Sequence, residues 1–164
     1  MTDFHWPTRR FDALERSLDE VKSLVIGRSP AADDPVTSYL ARFLVVRTCG
    51  YIEQTVELSC DAYIKRKSDS RTSSFASSWF GRGANPKPDA LVKLVTRFDS
   101  EWGRELDTFL RAEDELLWRE LSFLVDRRNK IAHGLSENIG VRKSLDLVES
   151  AKPVSGWFID KFSP

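Results

Sequence analysis

Apolar residues recur at helical spacing along most of the chain, and period-two alternation is nowhere sustained. From Pro7 to Ile26 the positions Phe11, Leu14, Leu18, Val21 and Val25 form one stripe, and Gly27 ends the run. Asp33-Asp34-Pro35 has the composition of a helix start, with Pro35 near the first helical position, where its missing N–H has no partner to lose. The helix that follows, to about Lys67, is apolar on nearly every face between Phe43 and Ile52, interrupted chiefly by Arg47. A helix apolar all round is expected at the centre of a bundle. Residues 68 to 88 break the pattern with serines, Gly81, Gly83, Pro86 and Pro88, and predict a mobile loop with at most a short turn around Phe75 to Phe80. Helical spacing resumes with Leu91, Leu94, Val95 and Phe98 and continues less regularly past Trp102, Leu106, Phe109 and Leu110. Two further helices are predicted, from about Glu113 to His133 and from about Gly140 to Ala151. Pro153 is expected to stop the second, leaving Phe158 to Phe162 as a short apolar C-terminal turn. The pattern predicts an all-α bundle in one domain over residues 1–164, with its core at about 10–152.

Composition narrows the function classes. With 164 residues, 41% hydrophobic and 30% charged, the chain can bury a real core and is not of disordered type. No apolar run approaches the roughly 18 residues of a membrane span, and the N-terminus has no basic region followed by an apolar segment, so the expected location is the cytoplasm. Cys49 and Cys60 lie on one predicted helix, too far apart to bridge and without metal-site spacing; they read as reduced packing residues. Net charge is zero, which argues against a general electrostatic nucleic-acid binder. Charge is nevertheless segregated: between residues 62 and 88, Lys65, Arg66, Lys67, Arg71, Arg82 and Lys87 face only Asp69. These basic residues could guide RNA or simply solvate a connector.

The most informative segment is Arg128-Asn129-Lys130-Ile131-Ala132-His133-Gly134, which closes the helix predicted from Glu113. At about 100° per residue from Leu117, the residues Leu121, Leu124, Val125, Ile131 and Ala132 form an apolar stripe, and Arg128 projects near its middle, at about +20°. A guanidinium there needs a partner or a wet cleft, and deleting an unpaired one should spare or even raise stability. One turn later comes His133, then Gly134, a natural residue for the position after a helix end. A fixed cation close to a side chain of the type that titrates near neutrality suits chemistry on a phosphate. A purely structural account also exists, since Arg and His both favour the negative end of the helix dipole. Asn129 lies four residues before His133, on the same face. One helix cannot enclose these side chains, but its pairing with a copy across a twofold axis can, which predicts a homodimer. In such a cleft the RNA 2′-hydroxyl supplies the nucleophile, His133 exchanges the proton, Arg128 stabilises phosphoryl charge and Asn129 orients a phosphate oxygen or the imidazole. That scheme calls for no metal and no cofactor.

Other chemistries have little support. There is no phosphate-binding glycine loop, nucleophile elbow or pair of histidines at zinc spacing. Acid pairs such as Glu53 with Glu57 and Glu113 with Glu115 read as solvated faces, and His5, near a terminus, as incidental. Trp79 and Phe80, beside Arg82, could stack on bases, although folding of both onto the core is the simpler expectation.

The run from Leu124 to Gly134 resembles the signature of HEPN domains: an Arg, a polar residue that is often Asn, then three residues and a His near the end of a late helix. The long preceding helix with Cys49-Gly50-Tyr51-Ile52-Glu53, and the order of long helix, polar loop, Trp-containing stretch and motif helix, resemble the prokaryotic RiboL-PSP-HEPN branch over roughly residues 10 to 152. The resemblance implies a four-to-five-helix bundle that homodimerises and cleaves RNA without metal, with Arg128 and His133 as the catalytic pair and Asn129 at the polar position. It further implies that Glu53 stands where some relatives place an acidic residue near the site; Arg47, one face away, is an equal candidate for a buried ion pair. Many relatives act in toxin–antitoxin, anti-phage or RNA-processing systems, so an antitoxin or defence-system protein is an expected partner. A toxin subgroup follows the His with one residue and a modifiable Tyr; here Gly134-Leu135 follows, so regulation of that kind is not expected. The alternative is a non-catalytic HEPN module that dimerises and binds RNA or nucleotide within a larger complex.

Overall fold

The computed structural model describes residues 6–28, 34–80, 85–135 and 138–163. Six helices account for all regular structure among them: α1 (Arg9–Ile26), α2 (Pro35–Lys67), α3 (Ser70–Ser77), α4 (Pro88–Thr96), α5 (Ser100–Ala132) and α6 (Val141–Lys161). The centre is α2, which packs against α1, α3, α5 and α6, while α4 packs on α5. Its central role follows from its sequence, since Ala41, Leu44, Val45, Cys49, Ile52, Val56 and Cys60 are fully buried. Asp34 starts the helix, accepting from the Val36 N–H at 3.1 Å and the Thr37 hydroxyl at 2.8 Å, with Pro35 in the first turn. Both cysteines are unpaired and buried. None of the described helices is long and apolar enough to cross a membrane.

Two local expectations fail, and a third, the helix boundary near Glu113, holds but with a further break before it, each for a physical reason. The segment after residue 68 contains a helix, α3, because Asp69 caps it by accepting from the Arg71 and Thr72 N–H groups at 3.0 and 3.2 Å. Serine runs read as loop because hydroxyls compete for backbone partners, but a good cap tips so short a helix. The second failure is at Pro153, which lies inside α6 rather than ending it. Its ring is exposed, whereas Leu147, Val148, Val154, Phe158 and Phe162 are buried around it. A mid-helix proline costs about 3 kcal/mol, and each large buried side chain returns about 1.5–3 kcal/mol, so packing wins. Phe162 sits among Phe98, Trp102 and Tyr63 with ring centroids 5.0, 5.4 and 5.7 Å away, which anchors the end of α6.

The third concerns the stretch from residue 91 to 133. Asp99 separates α4 from α5 by capping the latter, accepting from Glu101 and Trp102 N–H at 2.7 and 3.2 Å. The two helices then approach so closely that a Cβ on Gly103 would lie 3.1 Å from the Thr96 Cα. Further on, α5 turns a corner through left-handed backbone at Glu113, Asp114 and Glu115, with φ of 51°, 56° and 60°. Arg111 fastens this corner: its Nε donates to the Asp107 carboxylate at 3.1 Å, its Nη1 to Glu115 at 2.6 Å, and its guanidinium lies 3.8 Å from the Trp118 ring centre. Beyond the corner the helix carries the Arg-to-His segment across α2.

Candidate functional site

Leu121, Leu124 and Val125 fix the second half of α5 against the core, and that register aims Arg128 at α2. There its Nη2 donates to Glu53 in an ion pair, and its Nε donates to the Cys49 sulfur at 3.4 Å. Cys49 and Glu53 lie one turn apart on α2, with the thiol 3.9 Å from the carboxylate. The three side chains form a closed triangle between the helices, and Nη1 of Arg128 has no hydrogen-bond partner among the described residues. The pair is half-buried, with side-chain exposures of 30% for Arg128 and 22% for Glu53. Burial pushes the Glu53 carboxyl above its ordinary value, and the Arg128 charge only partly opposes this. Burial likewise raises the Cys49 thiol, keeping it protonated as a neutral bridge. The guanidinium is held charged, chiefly by its bond to Cys49 and also by Glu53.

Arg128 therefore does not lie as an uncompensated charge on the apolar stripe, and the expectation that its deletion spares stability is corrected: removing it leaves Glu53 half-buried without its counter-ion. Arg47, the other candidate for a buried ion pair, instead donates to the Ser17 hydroxyl at 2.6 Å. The part sequence reasoning missed is Cys49, read only as packing. Its four-residue spacing from Glu53 was the available signal.

The helix carrying Arg128 ends as its glycine demands. His133 is the last residue with near-helical backbone, Gly134 follows at φ 72°, and the N–H groups of Gly134 and Leu135 return to the carbonyls of Ile131 and Lys130, both at 3.0 Å. This paired closure satisfies the terminal carbonyls and leaves His133 exposed. Asn129 is half-buried between Arg128 and His133, and its carbonyl accepts the His133 N–H at 3.0 Å. Arg128 thus faces inward to α2 while His133 stands in solvent, so the chain's own fold brings Arg128 to Glu53 but does not enclose Arg128 and His133 together. Among the described residues no cluster of three His, Cys, Asp or Glu side chains is disposed to hold a metal ion.

Two surfaces extend from this point along α2. Towards its start, Val36, Tyr39, Phe43 and Gly50 share a line on the helix. Tyr39 is 67% and Phe43 50% exposed, and a Cβ at Gly50 would meet only the Gln54 amide, at 3.9 Å. The centre of the bundle thus has one uncovered apolar face, which its near-uniform hydrophobicity disguises. Towards its end, Lys65, Arg66 and Lys67 form the last turn, where cations favour the helix dipole. Lys65 pairs with Asp61 at 2.6 Å, Lys67 lies 5.9 Å from the Tyr63 ring centre, and Arg71 is exposed on α3. Arg82 and His5 lie outside the described residues. Phe80 packs against the core as expected, but Trp79 does not: it is 63% exposed.

A model of the RiboL-PSP-HEPN family matches residues 10–155. No curated protein and no solved structure matches the chain. The matched span runs from α1 into α6 and includes both the Arg128–Glu53 pair and the helix end at His133. An all-α bundle of this helix order, matched over nearly its whole length, belongs to the RiboL-PSP-HEPN family of HEPN domains.

Proposed function

We propose that this protein is a metal-independent endoribonuclease acting as a homodimer, in which two copies of the Arg128–His133 segment face one another. The observation that carries the reading is a guanidinium tethered through Nε and Nη2, with Nη1 uncommitted, five residues before an exposed histidine on the same helix. Tethering matters because a charge already oriented need not be immobilised when the transition state forms.

In the proposed reaction the substrate 2′-oxygen attacks the adjacent phosphorus while His133 of one copy takes its proton. The bond from phosphorus to the 5′-oxygen breaks, and the second copy's protonated imidazole returns a proton to that oxygen. The products are a 2′,3′-cyclic phosphate and a 5′-hydroxyl, so atoms and protons balance without water or a metal. Arg128 bonds the non-bridging oxygens, which gain charge during the attack. Asn129 orients a phosphate oxygen or the imidazole, and Glu53 is a positioning residue for Arg128. The apolar line Val36, Tyr39, Phe43 with the small Gly50 supports the second copy as the missing wall, since it is uncovered and runs along α2 towards Glu53. Lys65, Arg66, Lys67 and Arg71 would contribute phosphate contacts along the approach.

A second reading, a non-catalytic module that dimerises and binds RNA or nucleotide in a larger assembly such as an antitoxin or defence complex, also has an observation in its favour. Glu53 and Cys49 already engage two of Arg128's donors, as a purely structural ion pair would. Incubating the wild type, His133→Ala and Arg128→Ala with total RNA in EDTA separates the two. The ribonuclease reading expects cyclic-phosphate ends from the wild type alone. Cleavage that disappears in EDTA and returns with magnesium, or equal cleavage by all three proteins, refutes it.

A further inference from the structure

Beside the pair site, α2, α3 and α4 enclose a groove of about 430 Å³ that no part of the proposed reaction uses. Its walls are Phe75 and Trp79 on one side and Leu94, Arg97 and Phe98 on the other, with Glu57 and Asn85 among the polar lining. Phe75 and Trp79 are 68% and 63% exposed, with rings edge to face at 6.2 Å, and the Arg97 guanidinium stands 6.0 Å from the Trp79 ring centre. Neighbouring large aromatics this exposed gain little from folding and present flat apolar faces to whatever enters.

We infer that this groove is a second contact for single-stranded RNA, taking up an unpaired base against Trp79 and Phe75 with its phosphate on Arg97. Three observations select RNA over an apolar peptide. Arg97 forms no ion pair with a carboxylate among the described residues, so its cation stands on the groove wall beside Trp79. Lys67 and Arg71, on the elements that lead into the groove, add positive charge. The polar lining also includes the Asn85 amide, a group that can meet a base edge. Base–aromatic stacking with a guanidinium alongside is the common chemistry of single-strand binding. Glu57 is one turn beyond Glu53 on α2, a rise of about 6 Å, comparable to one nucleotide step. One RNA strand could therefore lie in the groove and reach Arg128. The inference rests on the RNA reading of the family site but not on catalysis, and the two can fail separately.

The test uses full-length protein and a labelled 2′-O-methyl 12-mer, which binds but cannot be cleaved, with affinity read by fluorescence polarisation. Trp79→Ala and Phe75→Ala, both at exposed positions, should keep the wild-type circular dichroism and weaken binding about 5- to 100-fold, as expected for loss of base stacking. An oligomer carrying abasic positions should lose a similar factor with the wild type, and Trp79→Ala should then cost almost nothing more, which a merely structural role for Trp79 would not produce. Arg97→Gln should lower the log–log salt slope by about 0.7. Cleavage of a diribonucleotide, too short to span both sites, should be unchanged in Trp79→Ala; loss of that cleavage overturns the assignment of a separate contact. Wild-type affinity in all three variants overturns the groove while leaving the ribonuclease reading intact, whereas failure of the wild type to bind the oligomer overturns the groove and counts against the RNA reading as well. Loss of a protein partner rather than of RNA in Trp79→Ala would make the groove a peptide site and also overturn the inference.

Discussion

Deleting Arg128 should make the stability of this protein depend on pH in a way that reports directly on Glu53. The side chains of the pair are 30% and 22% exposed, between the surface and the core. Breaking a fully buried pair costs about 3–5 kcal/mol and an exposed one about 0–1 kcal/mol, so Arg128→Ala should cost roughly 1–3 kcal/mol near neutral pH. The Glu53 carboxyl already sits above its ordinary 4.5 because burial outweighs the guanidinium. A group raised in the folded state contributes stability that is fully present below its unfolded value and is lost as pH rises through its folded value. Removing Arg128 takes away the main opposing charge, so the folded value climbs further and the window above 4.5 widens. The penalty should therefore be small near pH 4.5 and grow towards pH 8, with a slope below the limit of about 1.4 kcal/mol per pH unit, because solvent screens a half-exposed pair. Urea unfolding at pH steps from 4.5 to 8 measures this. Adding Glu53→Gln to Arg128→Ala should flatten the pH dependence and recover part of the loss. A penalty that is constant with pH, or indifferent to residue 53, would refute the claim that the two charges stabilise one another.

Further outcomes follow from other parts of the fold. Phe43→Glu places a carboxylate on the uncovered line of α2 and should turn a dimer into a monomer by light scattering, with loss of RNA cleavage and an unchanged helical spectrum; a variant that stays dimeric would place the interface elsewhere. Glu113→Gly relieves one left-handed residue at the corner of α5 and should raise stability by about 1 kcal/mol in urea unfolding, whereas a loss would mean that its side chain stabilises the corner. Asp34, held below its usual carboxylate value first by the Thr37 hydroxyl and then by the Val36 N–H, stabilises the start of α2 above about pH 3.8, and that contribution is lost as pH falls through its folded value. Asp34→Asn should therefore show less acid destabilisation between pH 5 and 3 than the wild type, and parallel curves would count against the cap.

The sequence alone determined what is periodic and local. The spacing Phe11, Leu18, Val21, Val25 makes a helix that packs by one face whatever its partner, and Gly134 ends α5 because only a residue free to take positive φ closes both terminal carbonyls. The position of Arg128 on an apolar stripe, and the need for a partner there, were equally legible, because helix geometry fixes which residues share a face. Tertiary structure decided the rest. Only the packing of α5 on α2 could give Arg128 the company of Glu53 and Cys49, since these residues lie more than seventy positions away in sequence and periodicity carries no information about which helices meet. Pro153 stays helical because burial along α6 exceeds the cost of the ring, a balance set by neighbours from other helices. The exposure of Tyr39, Phe43, Phe75 and Trp79 was hidden for the same reason: an apolar residue in a sequence does not say whether its face is covered by the same chain or left for another molecule.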